Sequence, residues 1–228
     1  AGKYMLENDI DLGGAEHTPI GGNGHGAFTG KFDGNFYRVK NFNVSNQDSA
    51  GLFGEVNGGG IENLGVSQAT IVGKRDNNQQ YAGGIVGHTS GTSILKNVYV
   101  TQTTKVEGYT GRYGGIVGST GSASGGTDHT VIDSAYSKAV IGTDDVGGAG
   151  DVTGGGIVGT SGEQTDISNT YSAATKTDGT TPTYFAYLVD PNDKTTIKNS
   201  YGLVGAEFSS NDNSLSSGAT TNTYKING

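Results

Sequence analysis

Apolar residues in this chain come in short clusters of two to five, rich in Val, Ile and Tyr and bounded by Gly, Asn, Asp and Ser. That punctuation is the mark of strands. Leu95-Lys96-Asn97-Val98-Tyr99-Val100 alternates in part, as a strand with one buried face does. No window of a dozen residues sustains apolar spacing of three and four. The pattern therefore predicts an all-β chain with very little helix.

The clusters repeat. Gly51-Leu52-Phe53-Gly54 returns as Gly84-Ile85-Val86-Gly87, Gly115-Ile116-Val117-Gly118 and Gly156-Ile157-Val158-Gly159, with a degenerate copy at Tyr187-Leu188-Val189-Asp190. A second cluster follows each: Ile61-Glu62-Asn63-Leu64, Leu95-Lys96-Asn97-Val98, Ile132-Asp133-Ser134-Ala135, Ile167-Ser168-Asn169-Thr170 and Ile197-Lys198-Asn199-Ser200. Val39-Lys40-Asn41-Phe42 extends this series towards the N-terminus. The first spacing, Val39 to Ile61, is 22 residues and the later ones are 34, 37, 35 and 30. Taking 22 as a bare coil makes the excess loops, inserted just before and just after the Gly corner. Insertions at fixed points of a repeat signify a stacked scaffold.

The expected architecture is a parallel β-helix or solenoid with Gly-rich corners and loop insertions. Its lead-in coils cover 1–49 and its repeats about 50–205. The solenoid ends at 208, and a Ser/Asn-rich polar tail or terminal cap fills 209–228. The corner glycines serve either positive φ or a close backbone approach. Asn41, Asn63, Asn97, Asn169 and Asn199 are expected to stack as an amide ladder, broken by Ser134. Tyr99, Tyr136, Tyr171 and Tyr201 recur just after that position as packing or ladder residues.

Gly-Leu-Phe-Gly followed by Gly60-Ile61-Glu62-Asn63-Leu64-Gly65-Val66 resembles the GLUG motif of bacterial secreted proteins. The lead-in is similar too: Leu6-Glu7-Asn8-Asp9-Ile10-Asp11-Leu12, Thr18-Pro19-Ile20-Gly21 and Phe28-Thr29-Gly30-Lys31-Phe32-Asp33-Gly34-Asn35. The resemblance runs from about Tyr4 to Gly205. It implies a β-helical stalk or passenger region, as in large adhesins, filamentous haemagglutinin-like proteins and some secreted peptidases. In those peptidases the motif is not the catalytic part, so it supplies no active-site residues.

Net charge is −8, from 14 Lys+Arg against 22 Asp+Glu, a poor balance for a partner bound through its phosphates. Nucleic acid is not an expected partner. With no cysteine, disulfide frameworks, thiolate metal sites and Cys nucleophiles all fall away. No stretch nears the ~18 apolar residues of a membrane helix, so membrane insertion is not expected. The start at Ala1, almost directly in a strand-like segment, reads as a mature product or an excised piece.

Gly154-Gly155-Gly156-Ile157-Val158-Gly159 matches a dinucleotide fingerprint but is a repeat corner followed by a polar loop, not by a helix. His17, His25, His88 and His129 fall at no short metal-ligand spacing. Asp9 and Asp11 share one strand face, and Asp144, Asp145 and Asp151 share a Gly-rich loop. Both groups are Ca²⁺ candidates, and Ca²⁺ is the one cofactor the sequence admits. Solvated loop carboxylates are the leading reading of both groups, and Ca²⁺ the weaker one. Tyr109, Arg112 and Tyr113 read as a loop able to stack on a sugar and bond its hydroxyls.

These features point to a non-catalytic structural or adhesive module at the cell surface or outside the cell. Its partners would be a host or surface glycan or protein, or copies of itself in a fibre. The alternatives are a polysaccharide-active β-helix enzyme or a glycan-binding module. Ice binding ranks last, because Thr101, Thr103 and Thr104 cluster in one coil only.

Overall fold

The computed structural model describes residues 2–74, 76, 80–121, 126–143, 152–176, 184–186, 188–190, 194–204, 220–221 and 224–227. They hold strands, turns and no helix, wound into a parallel β-solenoid of about five turns. One turn shows the plan. Thr92–Val100 and Lys105–Gly108 lie in a long sheet, Gly111–Gly114 in a second sheet and Val117–Thr120 in a third. The chain then re-enters the long sheet at His129–Ser137, one step along. Every strand-to-strand pairing is parallel and mostly in register: Leu95 with Ile132, Val106 with Ile141, Tyr113 with Gly154, Val117 with Val158.

A bend within Thr92–Val100 explains the Asn pattern. Side chains three apart on a straight strand point to opposite faces. Yet Leu95 and Val98 are both buried. Asn97 lies between them with φ 54° and turns the chain so that both flanks face inward. The same left-handed bend recurs at Asn63, Ser134, Asn169 and Asn199, with φ between 47° and 59°. Asn is the side chain that visits this region most readily after Gly, which is why it recurs here.

Asn41 also has a left-handed φ, 58°, but it does not belong to that column. Val39 pairs with Val66 and Phe42 with Ala69, which sets Asn41 opposite Gln68, φ 53°. Phe32, and not Val39, is the residue that pairs with Ile61. The bare coil is therefore the 29 residues from Phe32 to Ile61, and the 22-residue spacing joins two different corners. The confusion is physical. Two left-handed corners on one strand, Gly60–Gly73, carry the same apolar-polar-bend-apolar signature.

The interior is a set of columns. Ile61, Leu95, Ile132, Ile167 and Ile197 form one; Phe53, Val86, Val117, Val158 and Val189 form another. A third shrinks and turns polar along the axis, from Val66 and Val100 to Ser137 and Ser172. Elsewhere in the interior buried hydroxyls meet across turns: Thr89 with Thr130 at 2.8 Å, Thr120 with Thr165 at 2.6 Å, Ser161 with Thr195 at 2.6 Å. Each pair joins one turn to the next and removes the penalty of about 1–3 kcal/mol for a buried hydroxyl without a bond.

At the far end, Thr220–Thr221 and Tyr224–Asn227 pair with Thr195–Lys198 and Tyr201–Val204, so part of the Ser/Asn-rich tail continues the stack. The corner glycines act through contact, not through positive φ. Gly51, Gly54, Gly84, Gly87, Gly115, Gly118 and Gly159 all lie outside the left-handed region. A Cβ on Gly118 would stand 2.6 Å from the Ala82 nitrogen, and one on Gly87 2.7 Å from the Ala50 nitrogen. Backbone cannot yield there as a flexible side chain would. Gly118→Ala should accordingly lower stability by about 3 kcal/mol, at the upper end for overpacking. Urea unfolding followed by circular dichroism reads this out; an unchanged midpoint would contradict the close approach.

Candidate functional site

Beyond each left-handed bend the second residue points outward, and four of these are tyrosines. Tyr99, Tyr136, Tyr171 and Tyr201 pair in register, and Tyr224 follows them in the backbone pairing. The Tyr136 and Tyr171 rings stack at 5.4 Å with 5° between planes. Tyr99 lies instead over Gly65 of the preceding turn, where a Cβ would collide with its ring. Lys138 brings its Nζ to 5.6 Å from the Tyr136 ring centre.

Beside the rings runs the amide ladder, in two pieces. Asn97 donates to Asn63 at 2.8 Å, and Asn63 to Asp33 at 3.0 Å. Asn199 donates to Asn169 at 3.4 Å, and Asn169 to Asp133 at 2.7 Å. Ser134 is too short to continue the row, so Asp133 serves as its acceptor. The Asn169 amide, then the Ser168 hydroxyl, then the Lys96 charge hold the Asp133 carboxyl below its ordinary value. Asn41 stands apart from this ladder and donates to Asp11 at 3.0 Å.

Two open hollows border Tyr136. One, about 530 Å³, is lined by Ser134, Asn169, Tyr171 and Asn199 on the amide side. The other, about 560 Å³, is lined by Arg38, Gln68, Thr101, Thr103 and Lys138 on the far side. Its wall is the turn at Thr101 to Thr103. That turn has two more residues than the next coil needs between the positions paired with Val100 and Lys105. The Thr101 and Thr103 hydroxyls meet at 2.9 Å, and the Gln68 N–H donates to Thr103 at 3.1 Å.

The sugar-stacking trio read from the sequence does not assemble. Tyr113 is 0 % exposed, its ring seated over Gly108, so it is a core residue and cannot face a ligand. Arg112, its neighbour on the opposite face, is half-buried with Nη1 3.3 Å from the Thr153 hydroxyl. Tyr109 sits half-buried in the bend before that strand. The stretch looked like a single loop, yet Lys105–Gly108 and Gly111–Gly114 are strands with only a short bend between.

Asp9 and Asp11 are each engaged by the next turn. Asp9 accepts from the Arg38 Nε at 2.9 Å, and Asp11 from the Gly13 N–H at 2.9 Å, with the Lys40 Nζ at 3.6 Å. The Arg38 hydrogen bond lowers the Asp9 pKa, and the Gly13 and Asn41 hydrogen bonds lower that of Asp11. Among the described residues, no group of three or more His, Asp or Glu is placed to hold a metal ion. Asp144, Asp145 and Asp151 lie outside the described residues. His88 stacks on Tyr81 at 4.7 Å, and burial lowers its pKa, so it stays neutral.

No family model matches the chain. The chain is similar to part of halomucin. Over 131 residues, 53% of the chain, it is 33% identical to that protein of Haloquadratum walsbyi, and the match spans 1% of halomucin's length. Among solved structures it is similar to a "putative immunoglobulin A1 protease" from Bacteroides ovatus. The TM-score is 0.69 and the identity 28%, covering 98% of this chain and 69% of that one.

The ladder makes a pH prediction. A carboxyl with a folded pKa below its usual 3.8 contributes stability that is present above that value and lost as pH falls through the folded pKa. Asp133→Asn should therefore destabilise at neutral pH, with the gap to the parent closing below about pH 4. Urea midpoints from pH 7 to pH 2.5 measure this; a gap constant with pH would rule out the titration.

Proposed function

We propose that this chain is a non-catalytic β-solenoid scaffold of GLUG-repeat type, a segment of a longer secreted or cell-surface protein that holds its ladder face and loops outward. One observation carries the reading. Side-chain columns recur in register turn after turn, fill the interior and leave on the described outer face ladders of Tyr and Asn in place of convergent acids and bases. Stacks of this kind are stabilised between neighbouring turns and build stiff rods.

The match to a short stretch of halomucin supports a segment of a much larger protein. The partners that suit such a face are a host or surface glycan or protein, or further copies of the chain. The enzyme alternative draws on the Bacteroides ovatus structure, whose name is that of a protease. It is tested directly: incubated with immunoglobulin A1 or with polygalacturonate, the chain should leave both intact over a day at 37 °C. Antibodies to the solenoid should label intact cells of the organism that makes it. Cleavage of either substrate, or labelling only after lysis, would overturn the scaffold reading.

A further inference from the structure

We propose that the hollow beside Tyr136 is a binding site for an acidic saccharide, one bearing carboxylate or sulfate groups. The assignment rests on the scaffold reading only for where such a saccharide is met. The binding itself follows from the residues present.

The chain as a whole is acidic, at −8, yet this hollow is lined by Arg38 and Lys138 with no Asp or Glu among its residues. The described ion pair takes only the Nε of Arg38, to Asp9. A guanidinium carries four further N–H donors in the plane that suits a carboxylate or sulfate. Lys138 supplies a second positive charge to the same hollow, its Nζ 5.6 Å from the centre of the Tyr136 ring.

Next to Lys138, in the same coil, lies an aromatic ring, Tyr136, with Arg38 three coil steps away along the register. Tyr171, which covers one face of Tyr136, comes from the following turn. Arg38, Gln68 and the Thr101 to Thr103 turn come from preceding ones, so the hollow opens on the other face. A sugar whose C–H groups touch the part of the ring beside Lys138 sets its acidic group against that ammonium. Gln68 and the two threonine hydroxyls then offer donors and acceptors to its hydroxyl groups. About 560 Å³ is within the usual span of ligand sites. Among the described residues one coil has the wall-forming turn, so there the site departs from the repeat.

The test is calorimetric titration of the chain with three oligosaccharides of equal length: polygalacturonate-derived, heparin-derived and neutral cello-oligosaccharide. The proposal expects at least one acidic probe to bind at one site, weakened by added salt, and the neutral probe to bind at least tenfold more weakly. The probe that binds separates carboxylate from sulfate as the recognised group. Lys138→Gln should weaken binding about tenfold, the loss expected for one charge-assisted hydrogen bond. Lys105→Gln, which removes an equal exposed charge elsewhere, should leave it unchanged. Unchanged urea midpoints show that both variants keep the fold. No binding of either acidic probe, equal binding of the neutral one, or equal losses in both variants would overturn the site. None of these outcomes bears on whether the chain is displayed at the cell surface, so the two proposals fail separately.

Discussion

The stack depends on a corner residue in each described turn being held in the left-handed region. An extended strand alternates its faces, and a chain that must surround a core needs both arms of each corner pointing in. Asn97 and its counterparts do this with a single residue of positive φ. Because neighbouring strands pair in parallel register, one coil's bend must sit on the next coil's bend. The requirement for Asn then propagates along the axis, and the amides bond to one another as a consequence. Where Ser134 stands in the row, its backbone keeps the bend at φ 59° and the carboxylate of Asp133 takes over as acceptor.

That constraint leaves the interior freer than a globular core. A column has to fill the space between its neighbours, and it does so with Val, Ala, Ser and Thr by turns. The hydroxyl pairs across turns show that polar groups are admitted when each meets a partner. Specific chemistry therefore has to come from departures from the repeat. The two extra residues at Thr101 to Thr103 raise a wall, Gly65 makes a seat for Tyr99, and the basic residues Arg38 and Lys138 face a shared hollow.

The fold was legible because stacked coils repeat their needs in the sequence: the Gly corner, the bend residue, the outward tyrosine. What was misread shares a cause. Val39-Lys40-Asn41-Phe42 has the local chemistry of the Ile61 cluster, and only pairing reveals that it lies at a second corner. Tyr113 departs from the tyrosine register, and its polarity suggested a surface role. In the structure it fills a space left by its register partners Ala82 and Gly154. The hollow at Tyr136 draws residues from several turns, including Arg38, Gln68 and Lys138, and no linear motif joins them. Its only trace was the threonine cluster that no other coil repeats.

The most direct test of this account measures the stack itself. The chain has no cysteine, so nitroxide labels can be placed at will. Glu62 and Lys198 are both exposed and lie in one outward column, four coil steps apart by the register through Lys96, Asp133 and Ser168. At about 4.8 Å per step their backbones stand about 19 Å apart. Pulsed electron resonance on the doubly labelled chain should give one narrow distribution near that distance, widened by the label arms. A broad distribution, or one centred beyond about 35 Å, would contradict the registered solenoid on which the rest is built.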